Sequence, residues 1–548
     1  MIALKESVLR KNVAELIVIR ASGHGLDSQR GYPQWELNNY ELKRLLEEGI
    51  GGVILFGGNT IELQQRTKQL RSWSGKSLLL CADVEEGVGQ RFLGGTWLVP
   101  PLAIEGIYRK NPSKAKALAE RYGNCIGFQA RNCGLNWVLG PVCDINSNPK
   151  NPVINLRAWG EDPQIVSDLT CAFQNGLAIE GVLSCAKHFP GHGATSVDSH
   201  LELPIIDHDL NRLNEWDCVP FKSVFAAGAD AVMSAHVLFP NIDKNNPATL
   251  SSQILTKLLR EQIGFDGLLV TDALVMEAIS KSYGDAEAVV MAFEAGADLL
   301  MMPANPYEAI NAISNALLSG RIPMERLEES LFRRKKAITK VDAFSKVILE
   351  EEDHYNSFSI ERSEDINLAK ELISESIELR HQVAPGNNAS DINLVRIDGV
   401  FPCPFLNNHS PSLCFPEEAG YQNILCHTMG VTPWQNNPEE PLALDRFGEG
   451  SFLIQLFIRG NPFRGSSYNK EPWSATIRQL QKLNRLSGLI VYGSPYLRNE
   501  LIQVVDPSVP FAFSPGQMNE VQKKLLSSFL CKRKERTLKP LKLSEFSD

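Results

Sequence analysis

The sequence has no Cys-x-x-Cys pair, although it carries 11 cysteines in 548 residues. An odd number without close pairs argues against a disulfide framework and against a cysteine-built zinc site. Cys81 (SLLLCAD) and Cys185 (GVLSCAKHF) lie inside apolar runs, as buried reduced thiols do. No apolar run reaches the 18 residues of a membrane-spanning helix. The opening stretch MIALKESVLRKNVAEL holds Lys5 and Glu6 and lacks a leader's apolar core, so a cytoplasmic protein is expected. There is no basic surplus: 55 Lys and Arg stand against 64 Asp and Glu, a net charge of −9. That balance argues against a nucleic-acid partner. Repeats of solenoid period are also missing. With 43% hydrophobic and 22% charged residues, the composition is that of a globular protein with more than one domain.

What is present is alternation. Eight strand-length apolar runs recur in the first ~340 residues: ELIVIR (15–20), GVILF (52–56), SLLLC (77–81), NWVLG (136–140), GVLSCA (181–186), DAVMSA (230–235), GLLVT (267–271) and DLLMM (298–302). Amphipathic stretches of helix length separate most of them, among them 39–49, 61–73, 113–132 and 163–181. Continuous apolar runs suit parallel strands buried on both faces. Eight such units predict a TIM-like (β/α)8 barrel over 1–340, with an open doubly wound sheet as the alternative. Residues 341–364 (ILEEEDHYNS and flanks) break the apolar period and are expected to link to a second domain. Residues 365–548 alternate again, with strands at 393–397, 452–458, 488–492 and 510–513, which predicts a smaller αβα sandwich.

Five of the ten histidines fall between His188 and His236. The segment Lys187–His200, KHFPGHGATSVDSH, follows an apolar run, so it is expected as a βα loop at the catalytic end of a barrel. Asp198 and His200 stand two residues apart. A carboxylate so placed can orient an imidazole and raise its basicity, or the pair is simply a surface turn. Asp272 ends GLLVTD, where it can face the barrel mouth as a nucleophile or cap a following helix. Asp83, Arg91, Arg157, Lys187 and His188 also follow strand-like runs. Converging charged donors and acceptors suit a polyhydroxylated ligand. A three-histidine metal set of His188, His192 and His200 is disfavoured, because HFPGH cannot be helical, and no metal or other cofactor is expected.

At KHFPGHGATSVDSH the sequence resembles glycoside hydrolase family 3, and within it the β-N-acetylhexosaminidases that remove GlcNAc from peptidoglycan fragments. ADVEEGVGQRF, LGPVCDINSNPKNPVINLRAWGEDP, VMSAHVLFPNID and AFEAGADLLMMP extend the likeness over residues ~10–340, and it continues more weakly beyond. The resemblance implies a TIM-like barrel with an appended αβα domain. It implies a retaining exo-glycosidase with Asp272 as nucleophile, His200 as acid/base and Asp198 as its partner. Asp83, Arg91, Arg157, Lys187 and His188 would hold the GlcNAc ring, and the partner is a small GlcNAc-containing muropeptide. Two positions depart from the family pattern: Glu86 stands where glycine is usual, and Ala194 replaces the aspartate of GHGDT. The alternatives are a family 3 glycosidase or phosphorylase of other specificity, such as a β-glucosidase, and a binding protein with a decayed site.

Overall fold

The computed structural model describes residues 2–199, 201–351, 360–386, 390–430, 432–460 and 471–531. The chain divides into two units, Met1–Ser376 with Arg459–Ser467 and Ile377–Ile458 with Tyr468–Asp548.

In the first unit eight short strands appear in chain order: β1 (Ile17–Ser22), β2 (Gly52–Phe56), β3 (Leu79–Ala82), β4 (Trp137–Val138), β5 (Cys185–Phe189), β6 (Ala231–Ser234), β7 (Leu268–Thr271) and β8 (Leu300–Met301). All pairings are parallel. One sheet runs β4-β3-β2-β1-β8 and the other β5-β6-β7. Parallel bridges Trp137↔Leu183 and Val270↔Leu299 join the two sheets at both seams. The ring is therefore closed, and the predicted (β/α)8 barrel is found. Its strands are buried along nearly their whole length, as the uninterrupted apolar runs require.

Local chemistry sets the helices between them. Asn59 closes a capping box with Glu62 at the start of Thr60–Trp73. Asp162 caps Pro163–Ile179, with proline at its first position. Each strand ends on the same face, so the loops after β3, β4, β5 and β7 share one end of the barrel. At the other end, Asp298 is fully buried before β8 and accepts from Arg260, Arg326 and Arg333. Those arginines outweigh its burial and hold its carboxyl below the ordinary range. This carboxylate ties helix Met324–Glu351 to the strands.

Two features differ from the sequence expectation. β5 continues through Phe189, because Lys187 pairs with Met233 and Phe189 with Ser234. Lys187 and His188 therefore lie on a strand and not in the loop after it. Helix Met324–Glu351 runs through the first part of the stretch expected as linker, and helix Ser363–Ser376 groups with the barrel.

The second unit is a six-stranded sheet. Its strands are β9 (Glu378–Arg380), β10 (Ile392–Ile397), β11 (Gln422–Cys426), β12 (Phe452–Ile458), β13 (Leu486–Gly493) and β14 (Phe511–Ser514). The order is β11-β10-β12-β13-β14-β9, parallel except for β9. Its core includes Leu394, Ile454, Leu456, Trp473, Ile477, Leu489 and Val491. Two strands, β9 and β11, were not anticipated.

Candidate active site

Asp83 follows β3 directly, and Lys187 lies within β5. The Lys187 Nζ donates to Asp83 Oδ1 at 2.7 Å and reaches Glu85 Oε1 at 2.6 Å. Glu85 in turn takes a two-pronged bond from Arg157, Nε to Oε2 and Nη2 to Oε1, both at 2.8 Å. Arg157 closes the short helical turn Asn155–Arg157 after β4. Its Nη2 also stands 3.5 Å from His188 Nε2. The other His188 nitrogen, Nδ1, donates to Asp144 Oδ2 at 2.7 Å. A carboxylate can only accept, so Nδ1 carries a proton.

Five of the predicted residues, Asp83, Arg91, Arg157, Lys187 and His188, thus form one connected network. Arg91 joins it through Nε, which donates to the Asp83 carbonyl at 3.0 Å, while its guanidinium stays exposed. Glu85 and Asp144 complete the network, and sequence reasoning did not select them. A usable signal existed for both: GPVCD ends an apolar run on Asp144 as GLLVTD does on Asp272, and Glu85 is two residues after Asp83.

The electrostatics follow from this alternation. Burial opposes ionisation of Glu85, but Arg157 and then Lys187 outweigh it and hold the carboxyl well below the usual range. Burial likewise favours a neutral Lys187 amine, yet Asp83 and Glu85 keep it charged and raise it. Asp144 is fully buried, and His188 outweighs that cost to lower its carboxyl. The result is a cluster of alternating fixed charges, rich in the donors and acceptors that a polyhydroxylated ligand would use. Glu85→Gln is expected to destabilise the fold by about 3–5 kcal/mol in urea unfolding, since it strips the shared counter-charge from the buried Lys187 and the half-buried Arg157. Arg91→Gln, at an exposed guanidinium, should cost under about 1 kcal/mol.

Asp272 follows β7, on the same end of the barrel. Its Oδ1 accepts from the Ala273 amide at 2.7 Å. It caps no helix, because the next one is Glu277–Tyr283 with Met276 at its cap position. The buried His236, after β6, donates from Nε2 to the Ala273 carbonyl at 3.1 Å and so fixes the Ala273–Leu274 peptide, one residue past Asp272. The Asp272 carboxylate is near enough to act electrostatically on Cys185 of β5 and on His192.

The loop after β5 is tightly tied down. Asn151 Nδ2 donates to the carbonyls of His192 at 2.8 Å and Gly193 at 3.0 Å. Gly193 passes so close to Ile145 that an added Cβ would sit 1.7 Å from its carbonyl oxygen. His192 is buried between Thr195 Oγ1 at 3.1 Å and Ser199 Oγ at 3.0 Å. Burial, aided by the neighbouring His188, lowers its pKa to about 4. Both of its nitrogens have partners within the loop, which suits packing better than metal binding. Asp198 is buried in this loop. His200 lies outside the described residues. The departure at Glu86 has a structural counterpart. Glu86 is fully buried, accepts from Trp97 Nε1 at 3.1 Å, and pairs with Arg459, which groups with the barrel unit.

Comparison with known proteins agrees with this architecture. Residues 8–336 match the Glycosyl hydrolase family 3 N terminal domain, and residues 385–531 the Bacterial Glycosyl hydrolase family 3 C-terminal domain. Beta-hexosaminidase A of Pseudoalteromonas piscicida is 34% identical over 333 residues, which is 55% of this chain and 55% of that protein. The match thus spans about half the length of that relative. Beta-hexosaminidase of Chromobacterium violaceum is 37% identical over 298 residues, 53% of this chain and 83% of that one. Among solved structures, a glycoside hydrolase family 3 beta-N-acetylglucosaminidase from Paenibacillus sp. superposes with a TM-score of 0.72 at 25% identity, covering 94% of this chain and 95% of its own. A Neisseria gonorrhoeae protein in complex with N-trifluoroacetyl-D-glucosamine gives 0.52 at 28% identity, over 65% of this chain and 97% of its own. No helix among the described residues is long and apolar enough to cross a membrane. With both of its units matched, the chain belongs to glycoside hydrolase family 3.

Proposed function

We propose that the protein is a retaining exo-β-N-acetylglucosaminidase that releases terminal GlcNAc from peptidoglycan fragments. The observation that carries this reading is the charge network Asp83–Lys187–Glu85–Arg157–His188–Asp144, set at the same barrel end as Asp272. The beta-hexosaminidase names of its relatives support the sugar assignment.

In the first step a carboxylate oxygen of Asp272 bonds to the anomeric carbon as the bond to the leaving oxygen breaks. His200, as imidazolium, gives that oxygen its proton. In the second step the neutral imidazole takes a proton from water, whose oxygen displaces Asp272 with net retention. Asp198 orients the histidine. Most retaining enzymes place a second carboxylate in this role. A neutral base would not repel an anionic acceptor, so transfer to phosphate is the competing outcome. No cofactor takes part in this scheme. Eleven free cysteines, seven of them buried, fit a reducing cytoplasm.

The test compares aryl β-GlcNAc with aryl β-glucoside, each with and without phosphate. The expected result is a kcat/KM at least about a hundredfold higher for the GlcNAc compound, with free GlcNAc as product in both buffers. Preference for the glucoside, or GlcNAc 1-phosphate as the main product, would replace this reading with a glucosidase or a phosphorylase.

A further inference from the structure

The segment between β1 and helix Asn39–Glu48 presents two aromatic rings to solvent at the catalytic end of the barrel. Tyr32 is 53% exposed and Trp35 38% exposed, and their rings stack with centroids 6.0 Å apart at 23°. Exposed aromatic surface forgoes the gain of burial, so its presence on a rigid loop calls for a reason. The loop is rigid. Arg30 Nη1 donates to the Glu36 carbonyl at 2.6 Å, and the buried Glu36 carboxylate accepts from the Tyr32 amide at 3.1 Å. Glu36 also pairs with Arg20 of β1 at 3.5 Å. The Arg20 guanidinium lies 4.9 Å from the Tyr32 ring centre and 5.7 Å from that of Trp35, a cation–π contact with each.

Two routes connect this pair to the site. Arg20 and Arg91 both stack on Phe56, at 4.2 and 5.8 Å, and Arg91 bonds to Asp83. A cavity of about 590 Å³ is lined by Trp35, Arg20 and Arg30, and also by Val275 and Lys281 from the segment that follows Asp272. The sugar to be released is accounted for by the charge cluster around Lys187, so this cavity is left for what the sugar is attached to.

We propose that Trp35, backed by Tyr32, is a stacking platform for the leaving-group sugar, so that the enzyme selects substrates whose aglycone is a second pyranose ring. This rests on the glycosidase reading above. The C–H-rich face of a pyranose packs on an indole face, and that contact is specific to substrates that carry the second ring.

The test compares Trp35→Ala and Trp35→Phe on two substrates. One is a GlcNAc-β-1,4-linked disaccharide. The other is β-GlcNAc fluoride, whose leaving group has no ring. Trp35→Ala should lower kcat/KM for the disaccharide about tenfold or more and leave the fluoride within about twofold, with Trp35→Phe close to wild type on both. Unchanged fluoride turnover also reports a folded variant. Equal losses on both substrates, or none on the disaccharide, would overturn the platform and leave the glycosidase reading standing. A wild-type protein inert toward both would overturn the glycosidase reading. Calorimetric binding of the unreacted disaccharide then decides the platform: weaker binding by Trp35→Ala supports it, and equal binding overturns it.

Discussion

Asp272→Asn should lower kcat for an aryl β-N-acetylglucosaminide by about 10⁴-fold or more, with KM little changed. The amide keeps the shape of the carboxylate. It can still accept from the Ala273 amide, a bond of 2.7 Å in the native chain. What it loses is the charge and the nucleophilic oxygen that must bond to the anomeric carbon. The β7 strand and the His236 contact with Ala273 do not depend on that charge, so thermal stability should stay close to wild type. Steady-state kinetics paired with a melting curve checks both halves. A variant that keeps more than a tenth of its activity while folded would show that another group makes the bond.

His200→Ala should divide substrates by leaving group. A disaccharide, whose departing alkoxide needs a proton, should lose about 10²–10⁴-fold in kcat. A dinitrophenyl glycoside leaves without help, so its burst of phenolate should persist while the later hydrolysis of the glycosyl-enzyme slows. Azide, which needs no general base, should restore turnover and yield the β-glycosyl azide. Equal losses on the two substrates, without azide rescue, would assign His200 to binding or packing. Asp198→Asn should reproduce the same split more weakly, because it orients the imidazole without touching substrate.

The barrel is legible because its strands are short, buried along nearly their whole length and bounded by polar segments. GVILF is β2 residue for residue, and GLLVT differs from β7 by one position. The candidate site is legible where charged residues end such runs, as Asp83 and Asp272 do, which puts both at one end of the barrel. It is less legible where charge is buried inside a strand. Lys187 and His188 look like the start of a loop, since an ionisable pair is costly in a barrel wall. Only the counter-charges of Asp83, Glu85 and Asp144, supplied by other strands' loops, make the position tenable. Such compensation is not local in sequence, and for that reason Glu85 and Asp144 went unselected. The short edge strand Glu378–Arg380 and the partly exposed Gln422–Cys426 lack the apolar run that marks the other strands of the second unit. Glu86 shows the same limit: its partners Trp97 and Arg459 stand 11 and 373 residues away.

A covalent trap asks directly whether Asp272 makes the bond to the sugar. A fluorinated β-GlcNAc donor with a good leaving group forms the glycosyl-enzyme faster than water can release it, and peptide mass mapping then locates the ester. Stoichiometric inactivation is expected, with one added fluoro-GlcNAc on the peptide containing GLLVTDALVM, at Asp272. Labelling of any other side chain, or turnover that releases the inverted anomer with no adduct, would rule out Asp272 as the nucleophile of a retaining enzyme.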